Sequence, residues 1–311
     1  MAIVEVSELR KRYAEGAVDA LKGVSFSVDE GEVFGLLGPN GAGKTTTIGV
    51  LTTRVRATGG QAAVDGIDVA ADPVAVKQRI AVVPQRPNLD RALTAMENLT
   101  FHAAYFGYGL RERRERALEL LAAFGLDGRG GEGVNNYSGG MAQRLMIARA
   151  LMHQPRVLFL DEPTTGLDPQ SRLFLWDQIE ALRDAGTTML LTTHDMAEAD
   201  RLCARIAIVD HGERIALDTP AGLRGLLPRA RGLELTVRAG ADPAGELAAI
   251  GEAETAPAGD GTWRVRLYSE DATPAQAFAA LGRDGAEVLD LTRIEGTLED
   301  VFVHLTGRDL R

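Results

Sequence analysis

Hydrophobic and polar positions alternate through the first thirty residues, with Ile3, Val4 and Val6 followed by Val24, Phe26 and Val28. Period-2 alternation predicts strands with one buried face. Val33-Phe34-Gly35-Leu36-Leu37 replaces it with a continuous apolar run, the pattern of a strand buried on both faces. Short runs of the same kind recur at Ile80 to Val83, Val157 to Leu160, Met189 to Leu191 and Ile206 to Val209, mostly with helical patterns between them. Strands alternating with helices predict an α/β fold with a parallel sheet. From about Arg86 to Leu151 the pattern is almost wholly helical, which predicts an inserted helical subdomain. Leu118, Leu121, Ala122 and Phe124 are spaced there for one apolar face. The charged run Arg111 to Arg116 reads as a solvated helix face.

Near residue 220 the pattern changes. Pro220, Gly222, Gly225 and Pro228 punctuate the chain. The following order is a strand (Leu233 to Arg238), a helix, two strands ending in Trp263 to Tyr268, a helix (Pro274 to Leu281) and a strand (Glu287 to Leu291). This predicts a small α+β domain. A last helix is expected to start at Thr297, with Asp300 near the back-reaching position of a weakened capping box. Leu298, Val301, Phe302 and Leu305 would form its apolar face and Gly307 would end it. The expected organisation is a domain over residues 1–220, a linker over 221–228 and a second domain over 229–311. There is no internal repeat and no low-complexity tract.

Composition narrows the class. The 311 residues are 45% hydrophobic and 25% charged, ordinary for a globular chain large enough for two domains. The single cysteine, Cys203, excludes an internal disulfide and fits a reducing compartment. A net charge of −10 argues against a general nucleic-acid coat, and residues 229–311 alone carry 15 acidic against 9 basic groups. The longest apolar runs fall far short of the roughly 18 residues of a spanning helix. The N-terminus lacks a secretory signal pattern, so a cytoplasmic protein is expected.

One motif carries chemistry by itself. Gly38-Pro39-Asn40-Gly41-Ala42-Gly43-Lys44-Thr45 matches the phosphate-loop pattern, followed by Thr46 in a Thr-rich helix start. Glycines let backbone N–H groups turn toward phosphate oxygens, Lys44 brings positive charge to the β- and γ-phosphates, and the Thr45 hydroxyl can ligate Mg²⁺. Lys44 is one of only four lysines against thirty arginines, so a chance match is improbable. Val157 to Leu160 then runs into Asp161 and Glu162. A carboxylate at a strand's C-terminal edge can hold Mg²⁺, which suits Asp161, and Glu162 can polarise a water for in-line attack. Taken alone, acidic residues at a strand end also serve solubility.

These residues and several others resemble the ATP-binding subunit of ABC transporters. Tyr137-Ser138-Gly139-Gly140-Met141 is similar to that family's signature, usually written LSGGQ. Gln85 resembles the Gln-loop residue, Gly166-Leu167-Asp168 the D-loop, His194 the switch histidine, and Tyr13 the aromatic residue that stacks on adenine. Taken singly, Ser138-Gly139-Gly140 could be a plain N-cap turn, His194 a structural histidine and Tyr13 a packing residue. Their ordered co-occurrence over residues 1–220 overturns those readings.

The resemblance implies a phosphate-loop NTPase with a parallel core sheet, an antiparallel N-terminal β subdomain, an inserted helical subdomain at about 86–151 and a small C-terminal α+β domain. It implies ATP and Mg²⁺ as cofactors. Gln85 joins Thr45 and Asp161 at the metal, and Glu162, His194 and Gln85 act in catalysis. Residues Gly38 to Thr46, Tyr13 and Asp168 hold nucleotide, and Ser138 to Gly140 act on ATP of the facing subunit. The implied assembly is a homodimer closing over two ATP molecules, bound to a membrane-spanning permease on the cytoplasmic face, with no nucleic acid. Tyr137 and Met141 replace the usual Leu and Gln of the signature, with Gln143 two places later. Leu298 to Arg308 resembles the end of daunorubicin/doxorubicin-resistance subunits, which implies export of a hydrophobic or amphiphilic compound. The competing reading is a soluble ABC-type switch acting on ribosomes or DNA. One cassette, no long coiled coil and an acidic C-terminal region speak against it.

Overall fold

The alternating N-terminal segment forms a long antiparallel pair, β1 (Ala2–Tyr13) and β2 (Val18–Asp29), in a computed structural model that describes residues 1–14, 18–269, 271–282 and 285–307. Val4, Val6, Val24, Phe26 and Val28 all point into the core. The apolar run becomes β3 (Val33–Leu37), buried at every position, and feeds α1 (Lys44–Leu51) through the Gly-rich loop. Phe26 stacks on Phe34 with ring centroids 5.0 Å apart, which ties the antiparallel layer to the next sheet. β4 (Gly59–Val64) and β5 (Ile67–Asp68) complete a four-stranded antiparallel sheet in the order β2-β1-β4-β5.

After α2 (Pro73–Arg79) and β6 (Ile80–Val83), the chain leaves the sheet for three helices, α3 (Ala95–Tyr105), α4 (Leu110–Ala123) and α5 (Gly139–Ala150). It returns as β7 (Val157–Asp161), α6 (Pro169–Asp184), β8 (Thr188–Thr193), α7 (Met196–Leu202), β9 (Arg205–Asp210) and β10 (Glu213–Asp218). The central sheet has the order β10-β9-β3-β8-β7-β6, parallel except for β10. Strands β3, β7 and β8 are buried throughout, as a parallel sheet covered on both faces requires.

The helical arm departs from expectation in two ways. Residues 86–94, 106–109 and 124–138 are connections, apart from a 3₁₀ turn at Val134–Asn136, so the span is less helical than its pattern predicts. The apolar face is also only partly the expected one. Leu121 and Phe124 are buried as predicted, but Leu118 is 54% exposed and Ala122 is exposed, whereas Ala117 and Leu120 are buried. The buried set is itself an i, i+3, i+4, i+7 stripe, but it begins at an alanine too small to mark it by hydrophobicity.

The chain divides into two compact units, Met1–Pro220 and a second from Ala221 onward; α8 (Pro220–Arg224) lies at the division. The second unit contains β11 (Arg231–Arg238), α9 (Ala244–Leu247), β12 (Glu252–Gly259), β13 (Thr262–Tyr268), α10 (Pro274–Leu281), β14 (Glu287–Glu295) and α11 (Leu298–Thr306). Its antiparallel sheet has the order β12-β13-β11-β14. One face buries Leu233, Leu235, Val237, Val265 and Leu267 against Leu247 of α9 and Leu281 of α10. Thr297 and Asp300 form the expected capping box, and Gly307 ends α11 in the left-handed conformation at φ 71°. Leu298, Val301 and Phe302 are buried and Leu305 is half-buried. Among the described residues no helix is long and apolar enough to cross a membrane.

Candidate nucleotide site

Glycine is required where the loop after β3 threads between neighbouring strands. A Cβ on Gly38 would lie 2.1 Å from the Val209 carbonyl oxygen. Gly43, at φ 109°, would bring one to 2.7 Å from the Ala20 oxygen. Gly41 is left-handed too, at φ 84°, but nothing lies within 4 Å of where its Cβ would be. The loop is thus pinned at both ends and open at its crest, with Asn40, Gly41 and Thr45 exposed. No side chain caps α1, which leaves its first amides for an anion.

Lys44 is 4% exposed. Its Nζ donates to the carbonyls of Gly38 at 2.6 Å and Pro39 at 3.1 Å, and lies 3.5 Å from Glu162 Oε1. Burial pulls its pKa below the usual lysine value, while Glu162 and Asp161 oppose that shift.

The carboxylates follow from the sheet. Parallel pairing of β7 with both β6 and β8 sets three strand ends side by side. Such C-terminal edges are where open α/β sheets bind ligands. Asp161 is 8% exposed and accepts from Thr192 Oγ1 at 2.6 Å. Burial raises its pKa above the usual carboxylate range, with Glu162 adding to the effect and Thr192, Lys44 and Arg54 opposing it.

Glu162 adopts a left-handed backbone, φ 49°, a conformation that costs about 1–3 kcal/mol in a non-glycine residue and persists only where its surroundings impose it. Its N–H donates to the Thr192 carbonyl at 3.0 Å and to Thr192 Oγ1 at 3.1 Å. The side chain gathers the rest of the cluster. Glu162 Oε2 accepts from Gln85 Nε2 at 2.8 Å and from Thr165 Oγ1 at 3.3 Å, and His194 Nδ1 stands 3.4 Å from it. Tyr13, Thr45, Thr46, Arg54 and Asp161 line a cavity of about 190 Å³. Four regions distant in sequence therefore meet at one place.

The ABC transporter family pattern matches residues 21–165. Over 309 residues the chain is 42% identical to the daunorubicin resistance ATP-binding protein DrrA2 of Streptomyces coeruleorubidus, covering 98% of this chain and 95% of the relative. The chain belongs to the ATP-binding subunits of ABC transporters. It is 40% identical over 314 residues to the Nod factor export ATP-binding protein I of Burkholderia thailandensis, with 100% of this chain and 99% of the relative covered. A solved dimeric ATP-binding cassette in a post-hydrolysis state, bound to ADP and Pi, matches 70% of this chain and 98% of its own at 30% identity and a TM-score of 0.64. The protein is accordingly a nucleotide-binding ABC ATPase.

Not every predicted residue of this ABC ATPase joins the cluster. Ser138 caps α5, accepting from the Met141 amide at 3.2 Å, and both Ser138 and Gly139 are exposed. Gly140 is packed so closely on α6 that a Cβ would lie 2.4 Å from Ser171 Oγ. Asp168 caps α6 through the Ser171 amide at 3.0 Å, and its Ser171 hydrogen bonds hold its carboxyl below the usual range. Among the described residues, no hydrogen bond or ion pair joins Ser138, Gly139, Gly140 or Asp168 to Lys44, Glu162, Gln85 or His194. The two signature departures share a neighbour, since Tyr137 OH donates to the Arg129 carbonyl at 3.0 Å and Arg129 Nη1 lies 3.4 Å from Met141 Sδ.

Sequence reasoning missed Thr192, Thr165 and Arg54. Thr192 left a signal in the buried strand that ends in two threonines. Thr165 and Arg54 left none.

Proposed function

We propose that Glu162 is the general base of ATP hydrolysis in this subunit. The observation that carries this reading is the convergence on Glu162 of Lys44, Gln85, Thr165 and His194, with Asp161 linked through Thr192. Lys44 exchanges the carbonyls of Gly38 and Pro39 for phosphate oxygens, which removes the desolvation burden of the buried ammonium. Glu162 takes the proton of a water attacking the γ-phosphorus in line, and Gln85 and His194 hold that carboxylate and contact the γ-phosphate. Tyr13 stacks on adenine beside Thr45 and Thr46, and the amides of residues 38–43 cradle the phosphates.

The donor set fits Mg²⁺, because the Thr45 hydroxyl, the Gln85 side-chain oxygen and the Asp161 carboxylate are hard oxygen ligands, and Thr45 and Asp161 line one cavity. Bound there, the ion would neutralise charge on the β- and γ-phosphates.

Ser138, Gly139 and Gly140 act on ATP held by a facing copy, so two chains close over two nucleotides, and Asp168 contributes to nucleotide binding. The exposure of Ser138 and Gly139, and the separation of this turn from the Glu162 cluster, support this arrangement, as does the dimeric form of the solved cassette. The dimer docks on a separate membrane-spanning permease at the cytoplasmic face. There it powers export of a small hydrophobic or amphiphilic compound, a class supported by relatives named for daunorubicin resistance and Nod factor export.

Expression of tagged Glu162→Gln chain in its host, with mild-detergent extraction in ATP and Mg²⁺, tests the assembly. A polytopic membrane protein recovered at near-equal stoichiometry supports the reading, and recovery of ribosomal or DNA-bound material without one overturns it.

A further inference from the structure

Two residues past the strained turn at Glu162, Thr164 Oγ1 donates to Glu198 Oε1 at 2.7 Å. The same oxygen accepts from Trp176 Nε1 of α6 at 3.1 Å. Glu198 is 1% exposed and sits in the first turn of α7, four residues after His194. Burial raises its carboxyl above the usual range, and the surrounding hydroxyl and indole donors oppose the shift. A carboxyl in such a place is costly compared with an apolar side chain of the same size, so packing alone does not account for it.

The neighbouring contacts form a stripe. Arg172 pairs with Asp195 at 3.1 Å, Trp176 bonds Glu198, and Arg201 pairs with Glu180 at 2.9 Å and with Asp177 at 2.7 Å. Arg172, Trp176 and Glu180 are spaced by fours along α6, and Asp195, Glu198 and Arg201 by threes along the α7 segment, so each set occupies one helical face. Asp168 caps helix α6, and α7 follows His194. Glu198 is the buried middle rung, and it reaches past the helices to the loop that carries Glu162. The left-handed turn is therefore held upstream by Thr192 and downstream by Thr164 on Glu198.

We propose that Glu198 is a positioning residue for hydrolysis, holding Thr164 so that the turn at Glu162 stays in register with α6, α7 and His194. This rests on Glu162 being the general base. Full-length Glu198→Gln, Glu198→Ala, Thr164→Val and Glu162→Gln chains are compared for kcat and KM with Mg²⁺-ATP, affinity for a fluorescent ATP analogue, and Tm. Glu198→Gln keeps a carbonyl oxygen for both donors and should stay within about threefold of the parent kcat. Glu198→Ala and Thr164→Val should each lower kcat about tenfold, with KM and analogue affinity within about twofold.

Thr164→Val removes one hydroxyl at nearly constant volume, so it decides the matter if Glu198→Ala fails to fold. Unchanged kcat in a Thr164→Val chain of parental Tm overturns the proposal, as does a fall in kcat matched by an equal loss of analogue affinity. Retained turnover in Glu162→Gln removes the general-base reading instead. Loss there beside normal Thr164→Val turnover removes only the role of Glu198.

Discussion

Two Gly-rich turns at helix N-termini are built for different circumstances. The turn before α1 is walled in, with Gly38 and Gly43 pressed against the backbone of other strands and Lys44 buried beside Glu162. The turn before α5 exposes Ser138 and Gly139 and, among the described residues, has no hydrogen bond or ion pair to that cluster. A walled turn with a buried lysine beside a carboxylate can hold a nucleotide within one chain. An exposed turn offers a hydroxyl, amides and a helix dipole, and must find its phosphate elsewhere. The difference is why this ABC ATPase should work in pairs.

The largest expected effect separates chemistry from binding at the walled turn. Glu162→Gln should lower ATP turnover by about 10²–10⁴-fold while affinity, read by fluorescent-nucleotide titration, changes little. Near-normal turnover would break the assignment. Lys44→Ala removes a charged partner of phosphate, worth about 1.5–3 kcal/mol, and should weaken nucleotide affinity by roughly 10- to 150-fold in the same titration.

Ser138→Ala should leave affinity in the single chain within about twofold, lower turnover about tenfold, and reduce ATP-dependent dimer formation in Glu162→Gln chains as seen by light scattering. Part of any stability loss, about 1 kcal/mol, would come from the missing helix cap. Lost affinity in the monomer would show that the exposed turn serves its own nucleotide. The smallest signal sharpens the comparison most. Mixing Lys44→Ala with Ser138→Ala chains should restore about a quarter of parental turnover, because half of randomly formed dimers are mixed and each has one intact site. No recovery would mean that both turns act on the same nucleotide.

Much of this was legible along the chain. The buried runs at Val33 to Leu37 and Val157 to Leu160 became central strands, because burial on both faces leaves a run that no amphipathic helix shares. The capping box at Thr297 and Asp300 was legible because it depends on residues three apart. The stripe of α4 was misplaced by a residue, since Ala117 carries too little hydrophobic signal to compete with Leu118. Thr192 and Thr165 went unread because their partners, Asp161 and Glu162, become neighbours of those hydroxyls only through sheet pairing and the turn after β7. Glu198 was hidden for the same reason, its meaning lying in Thr164 and Trp176 at 34 and 22 positions' remove.

The sequence by itself determined which chemical groups are present, because the phosphate loop, the strand ending in paired carboxylates and the Ser-Gly-Gly turn are local patterns. The last two gain a reading only beside the first and through the family resemblance. Only the tertiary structure decided which of those groups share a site. Parallel pairing of β6, β7 and β8 delivers Gln85, Glu162 and His194 to one edge, whereas Ser138 ends up exposed on the helical arm. Proximity across such distances comes from strand order and packing, which act between segments and leave no pattern within any one of them.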